Sequence, residues 1–211
     1  MYLTLANQIT ILRILLIFPF VICLLKTGLP HYGDWFRGGA VLIFVVMAIS
    51  DALDGYWARK HKQVTALGAF LDPMADKLMI TCASIVLCVP RTAIEGFVLP
   101  LTVVVLIIGK DILLLLGFII TFLLTGQVHI RPVWVGKAST FLQITMVFTI
   151  LIGPEIVRWV TVWRAITVAI CWATGFCAMV ATFVYIYRGI RYIEEFGNTE
   201  KIISGPLDNK K

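Results

Sequence analysis

Apolar residues run along this chain in long, nearly unbroken stretches, separated by short clusters of charge, Gly and Pro. Six such stretches, 8–26, 39–59, 68–89, 97–124, 137–152 and 165–187, approach or exceed the ~20 residues that span a bilayer core. Pro90 closes the third, and Gly153-Pro154 closes the fifth. A backbone in hydrocarbon must satisfy its own hydrogen bonds, so each stretch is predicted to be a helix. The expected fold is all-α: a polytopic membrane protein of six transmembrane helices. Residues 1–188 form one membrane domain, and 189–211 form a polar cytoplasmic tail. That tail opens on an amphipathic stretch with Ile190, Tyr192, Ile193 and Phe196 and is expected to fray beyond it.

Composition strengthens this picture. Of 211 residues, 60% are hydrophobic and 14% charged, against ~45–50% and ~25% in soluble domains. Mean hydropathy is +0.94. A secreted disulfide scaffold, a disordered tail protein and a soluble nucleic-acid binder are all excluded. The net charge of +6 needs no nucleic acid, because cytoplasmic loops collect Lys and Arg and basic edges suit anionic headgroups. With the N-terminus inside, the cytoplasmic segments hold ten basic residues and the opposite face holds Lys26, Arg37, Arg91, Arg158 and Arg164. Both termini are therefore expected in the cytoplasm. Cys23, Cys82, Cys88, Cys171 and Cys177 lie in apolar segments without CxxC spacing and are read as small hydrophobes. The start of the chain lacks a basic n-region and is not read as a cleavable signal.

Five of the twelve acidic residues fall inside the expected helices: Asp51, Asp54, Asp72, Asp76 and Asp111. Ionisable groups there are costly and mark function by default. Asp51 and Asp54 are three apart, and Asp72 and Asp76 four apart, so each pair shares a helix face. Both pairs are expected near the cytoplasmic ends of neighbouring helices. Four converging carboxylates repel unless a cation lies between them, and Lys77 and Arg59 are too few to neutralise them. All-oxygen ligands suit Mg²⁺, Ca²⁺ or Mn²⁺, and such ions hold phosphates and pyrophosphates. Gly55 and Gly68 would let a bulky ligand approach the backbone, and Arg59 could reach phosphate oxygens.

These residues read Asp51-Ala-Leu-Asp54-Gly55-Tyr-Trp-Ala58-Arg59, then eight residues, then Gly68-Ala-Phe-Leu-Asp72-Pro-Met-Ala-Asp76. The segment resembles the complete signature D-x-x-D-G-x-x-A-R-x8-G-x3-D-x3-D of the CDP-alcohol phosphatidyltransferases. Eight fixed positions at fixed spacing would arise by chance with a probability on the order of 10⁻⁸, from average residue usage. The resemblance extends to Asn7-Gln-Ile-Thr10-Ile-Leu-Arg13 and to Gly136-Lys137-Ala-Ser-Thr140-Phe-Leu-Gln143. It implies six helices, a CDP-linked lipid bound at the cytoplasmic side, and CMP release as an alcohol attacks the β-phosphorus. It also implies Asp51, Asp54, Asp72 and Asp76 as ligands of Mg²⁺ or Mn²⁺, two ions in number, with Asp76 as general base. Gly55, Ala58 and Gly68 would line the nucleotide pocket, with Arg59 near the diphosphate. Phospholipid biosynthesis at a bacterial inner membrane and a homodimer are further implications.

The donor is expected to be CDP-diacylglycerol, and two acceptors compete. The first half, through Asp76-Lys77-Leu78, resembles bacterial phosphatidylglycerolphosphate synthases, which use glycerol 3-phosphate. Their fourth helix usually carries Arg-Glu and then Gly-Leu-Arg. Here it reads Lys110-Asp111-Ile-Leu-Leu-Leu-Leu-Gly117-Phe118, and with Arg131-Pro132 it looks more like CMP-forming cardiolipin synthases, which use phosphatidylglycerol. A phosphomonoester dianion needs fixed cations, and Lys110, Arg131 and Lys137 are the candidates. Glycerol 3-phosphate is placed first and phosphatidylglycerol second; inositol phosphate, serine and choline follow.

Other features carry less. Gly136-Lys137-Ala138-Ser139 lacks the upstream glycine and the strand of a nucleotide P-loop. Arg13 is read either as snorkelling to the interface or as reaching the substrate site. Lys110 and Asp111 are adjacent and do not share a face, so each is expected to have its own partner in a polar cavity. His31, His61 and His129 are placed in loops. Trp134, Trp159, Trp163, Tyr185 and Tyr187 are read as an aromatic belt. A divalent-cation transporter would need polar groups through the whole membrane, and 41–49 and 78–89 supply no ion path.

Overall fold

The computed structural model describes the backbone over 5–61, 66–125 and 134–204, and side chains over 11–50, 75–117, 119–120, 123 and 134–191. Among the described residues every element is a helix: α1 (Leu5–Leu25), α2 (Gly33–His61), α3 (Ala66–Cys88), α4 (Leu101–Thr125), α5 (Trp134–Leu151), α6 (Gly153–Val157) and α7 (Trp163–Ser204). The six expected stretches each fall on one long helix, and α6 is an additional short one.

Prolines set several boundaries. α3 ends at Cys88, just before Val89-Pro90, because a residue preceding proline is pushed out of the helical region. Thr92 Oγ1 then donates to the Val86 carbonyl at 2.7 Å and satisfies one of the carbonyls left open at that end. α5 stops at Leu151, and α6 restarts with Pro154 in its first turn, where a missing N–H costs nothing. Two expectations are corrected. His61 is the last residue of α2 rather than part of a loop. α7 continues to Ser204, past the point where fraying was expected.

α1 packs against α2 and α3, while α7 packs against α4 and α5; α3 joins α4, and α2 and α3 reach α5. Phe20, Leu24, Phe44, Met47, Leu87, Val103, Ile107, Met146 and Ile150 fill the interior. Phe20 and Phe44 tilt against each other at 6.0 Å, and Phe44 stacks on Phe148. Among the described residues the outside carries many large apolar side chains, with Phe18, Leu42, Phe141, Phe176 and Phe183 all exposed. An exterior of this kind has lipid as its solvent. Among the described residues, three helices are long and apolar enough to cross a membrane: Gly33–Ser50, Trp134–Leu151 and Trp163–Arg191. The chain is an integral membrane protein. All five cysteines are free thiols, buried or half-buried, as expected.

The loops at one end are stitched together. Thr27 Oγ1 donates to the Thr92 carbonyl at 2.7 Å, and Leu99 N–H donates to the Leu87 carbonyl at 3.1 Å. Arg37, near the start of α2, grips Glu155 of α6 through both terminal nitrogens and also contacts Asp34. Arg164 lies over the Phe97 ring, and that ring occupies the space a side chain at Gly153 would need.

Candidate active site

The opposite end carries the chemistry. α2 is helical through Asp51 and Asp54, and α3 through Asp72 and Asp76, so both spacings become shared helix faces. Asp76 is half-buried. The side chains of Asp51, Asp54, Gly55, Ala58, Arg59, Gly68 and Asp72 lie outside the described residues, as does Arg131 entirely. Among the described residues, no three His, Cys, Asp or Glu side chains form a metal-holding group.

One residue beyond Asp76, Lys77 reaches from α3 to α4, its Nζ 3.4 Å from Asp111 Oδ1. Lys110 Nζ stands 3.4 Å from the same oxygen and donates to Ser139 Oγ of α5 at 3.2 Å. Lys110 and Asp111 thus each have a partner of their own, Ser139 and Lys77, and in addition approach each other. Their backbones face different directions, but the four-carbon lysine arm bends back to the neighbouring carboxylate. Lys110 is 4% exposed, a buried cation with a hydrogen bond to Ser139 on one side and, on the other, an ion pair to Asp111 Oδ1 that is too loosely aligned to be a hydrogen bond.

These groups border a cavity of about 520 Å³. Lys77, Lys110, Asp111, Lys137, Thr140 and Tyr185 give it polar lining, and Leu114, Phe141 and Ile144 give it apolar lining. Among the described lining residues three lysines stand against one carboxylate, a basic excess of the kind that suits a phosphate group. Lys137 also stands over the Trp134 ring at 5.5 Å, which limits the directions its arm can take.

Two of the three expected acceptor-site cations, Lys110 and Lys137, are thus brought together. Lys77 and Tyr185 join them unforeseen. The sequence signal for Lys77 was its charge inside an apolar helix, next to Asp76. Tyr185 was read as part of the aromatic belt, but it is half-buried and lines the cavity, whereas Tyr187 is exposed. Gly136 explains its position: a side chain there would collide with the Tyr185 hydroxyl, so α5 and α7 meet closely at this point. Arg13 does not snorkel; it is 2% exposed, held in the interior.

Residues 3–172 match the CDP-alcohol phosphatidyltransferase family. The chain is 35% identical over 156 residues to a CDP-diacylglycerol–glycerol-3-phosphate 3-phosphatidyltransferase of Pseudomonas fluorescens, covering 73% of this chain and 75% of the relative. A protein of the same name from Bacillus subtilis (strain 168) is 35% identical over 156 residues, covering 70% of this chain and 76% of its own. One from Rickettsia typhi is 32% identical over 151 residues, covering 72% and 78%. A family match over most of the chain, relatives at this identity, and the acid pairs in their expected helices agree: the chain belongs to the CDP-alcohol phosphatidyltransferases.

Proposed function

We propose that the protein transfers a phosphatidyl group from CDP-diacylglycerol to glycerol 3-phosphate, releasing CMP and forming phosphatidylglycerolphosphate. The observation that carries this reading is the cavity, whose described lining includes Lys77, Lys110 and Lys137 from three helices and a single carboxylate, Asp111. A soluble dianion needs such a site. The relatives' shared name, with glycerol 3-phosphate in it, supports the same acceptor.

Four carboxylates on two consecutive helices make an all-oxygen donor set that fits Mg²⁺ or Mn²⁺. In this reading Asp51, Asp54, Asp72 and Asp76 hold two ions. The ions, when bound, neutralise the diphosphate and stabilise CMP as it leaves. Gly55, Ala58 and Gly68 leave room for the nucleotide, and Arg59 binds the diphosphate. Lys77, Lys110 and Lys137 bind the phosphate of the acceptor, with Arg131 as a further candidate. Asp76 takes the proton of the acceptor hydroxyl as its oxygen bonds to the phosphorus that carries diacylglycerol. The bond from that phosphorus to the CMP oxygen breaks, and CMP leaves.

The apolar lining from Leu114, Phe141 and Ile144 suits a product that must depart into lipid. Six membrane crossings, both termini and the site on the cytoplasmic side of a bacterial inner membrane, and a homodimer complete the proposal. The test is CMP release by the purified protein with CDP-diacylglycerol and Mg²⁺. Release on adding glycerol 3-phosphate supports the reading; release only on adding phosphatidylglycerol would replace it with cardiolipin synthesis.

A further inference from the structure

We propose that Asp111 and Ser139 form a positioning clamp that aims Lys110 and Lys77 at the acceptor phosphate, a role that rests on the acceptor reading above. Asp111 is a puzzle for any explanation based on charge alone. A cavity built to attract a dianion is weakened by a carboxylate, because Asp111 cancels one of its three lysines. Its geometry gives the reason for its presence. One oxygen, Oδ1, lies 3.4 Å from Lys77 Nζ of α3 and 3.4 Å from Lys110 Nζ of α4. Without it, the two ammonium groups would repel each other and spread apart. Ser139 Oγ receives the Lys110 ammonium from the α5 side at 3.2 Å. A long lysine arm with free rotors is a poor phosphate ligand until something fixes it. Here the fixing comes from three helices at once.

The clamp also touches the chemistry indirectly. Lys77 directly follows Asp76 on α3, so a phosphate held by Lys77 lies beside the proposed base. Asp111 therefore acts through its neighbours as a positioning residue and contacts no reacting atom itself.

The two explanations predict opposite signs. Asp111→Asn adds one net positive charge to the cavity, so a purely electrostatic site would bind glycerol 3-phosphate more tightly. A clamp predicts weaker binding: KM for glycerol 3-phosphate about tenfold higher, the loss expected from one misdirected charge-assisted contact. KM for CDP-diacylglycerol stays unchanged, and Asp111→Glu recovers most of the loss. The full-length protein would be assayed for CMP release, with each substrate varied in turn. An unchanged or lowered KM for glycerol 3-phosphate, or both KM values rising together, overturns the clamp. If Asp111→Asn does not yield folded protein, Ser139→Ala decides, since it strands no charge. A several-fold rise in acceptor KM supports the clamp, and no change overturns it. Wild-type protein that releases no CMP with glycerol 3-phosphate overturns the acceptor reading and the clamp together, whereas a failed Asp111 test overturns the clamp alone.

Discussion

The hydroxyl of Tyr185 occupies the place where the first side-chain carbon of any residue but glycine at position 136 would have to lie. This contact joins α5 to α7 at the rim of the cavity, beside Lys137. Gly136→Ala is expected to push Tyr185 aside and to lower kcat/KM for the acceptor about tenfold, the order of loss for a displaced positioning group. Tyr185→Phe removes the clashing atom, so the double variant should be more active than Gly136→Ala alone. Steady-state CMP release by the single and double variants checks this; an Ala variant as active as wild type would deny the contact any role.

Asp76→Asn keeps the shape of the side chain but can no longer accept a proton. Turnover should fall to background while CDP-diacylglycerol binding remains measurable. Equilibrium binding of the CDP-lipid alongside CMP release separates the two effects. Retained turnover would remove Asp76 as the base.

At the other end, Arg37 is buried and held by Glu155 and Asp34, at 2.6 and 3.0 Å. Glu155→Gln would leave a buried guanidinium with a weaker partner. Because Glu155 is itself more than half exposed, the expected loss is small, about 1 kcal/mol. Arg37 and Asp51 are fourteen residues apart on α2, or about 21 Å, so activity per folded molecule should not change. Thermal unfolding in detergent, paired with activity at low temperature, tests both halves of this expectation.

Much of this arrangement was visible in the residues and much was not, for a physical reason. Helices with a local cause were readable: the apolar runs, the stops at Pro90 and Pro154, and the face-sharing of Asp51 with Asp54 and of Asp72 with Asp76. Contacts between distant segments were not. The joining of Lys77 to Asp111 depends on how α3 lies against α4, and that of Arg37 to Glu155 on how α2 meets α6. Periodicity within one helix specifies neither. Tyr185 was assigned to the interface because an aromatic near a helix end usually belongs there; only the close approach at Gly136 turns it to the cavity. The pairing of Lys110 with Asp111 was missed because helical geometry was applied to backbone directions, and a lysine arm is long enough to disregard them.

Chelation should separate the donor set from the rest of the fold. EDTA is expected to stop CMP release without changing helix content, and Mg²⁺ or Mn²⁺ to restore it. Circular dichroism beside the activity assay makes the comparison. Activity that persists after complete chelation would exclude a metal held by Asp51, Asp54, Asp72 and Asp76.

The most direct test of the central claim is to follow labelled glycerol 3-phosphate into lipid. Purified protein with CDP-diacylglycerol and Mg²⁺ should place the label in a chloroform-soluble product whose terminal phosphate a phosphatase removes. Label that stays in the aqueous phase, while added phosphatidylglycerol is converted to cardiolipin, would contradict it.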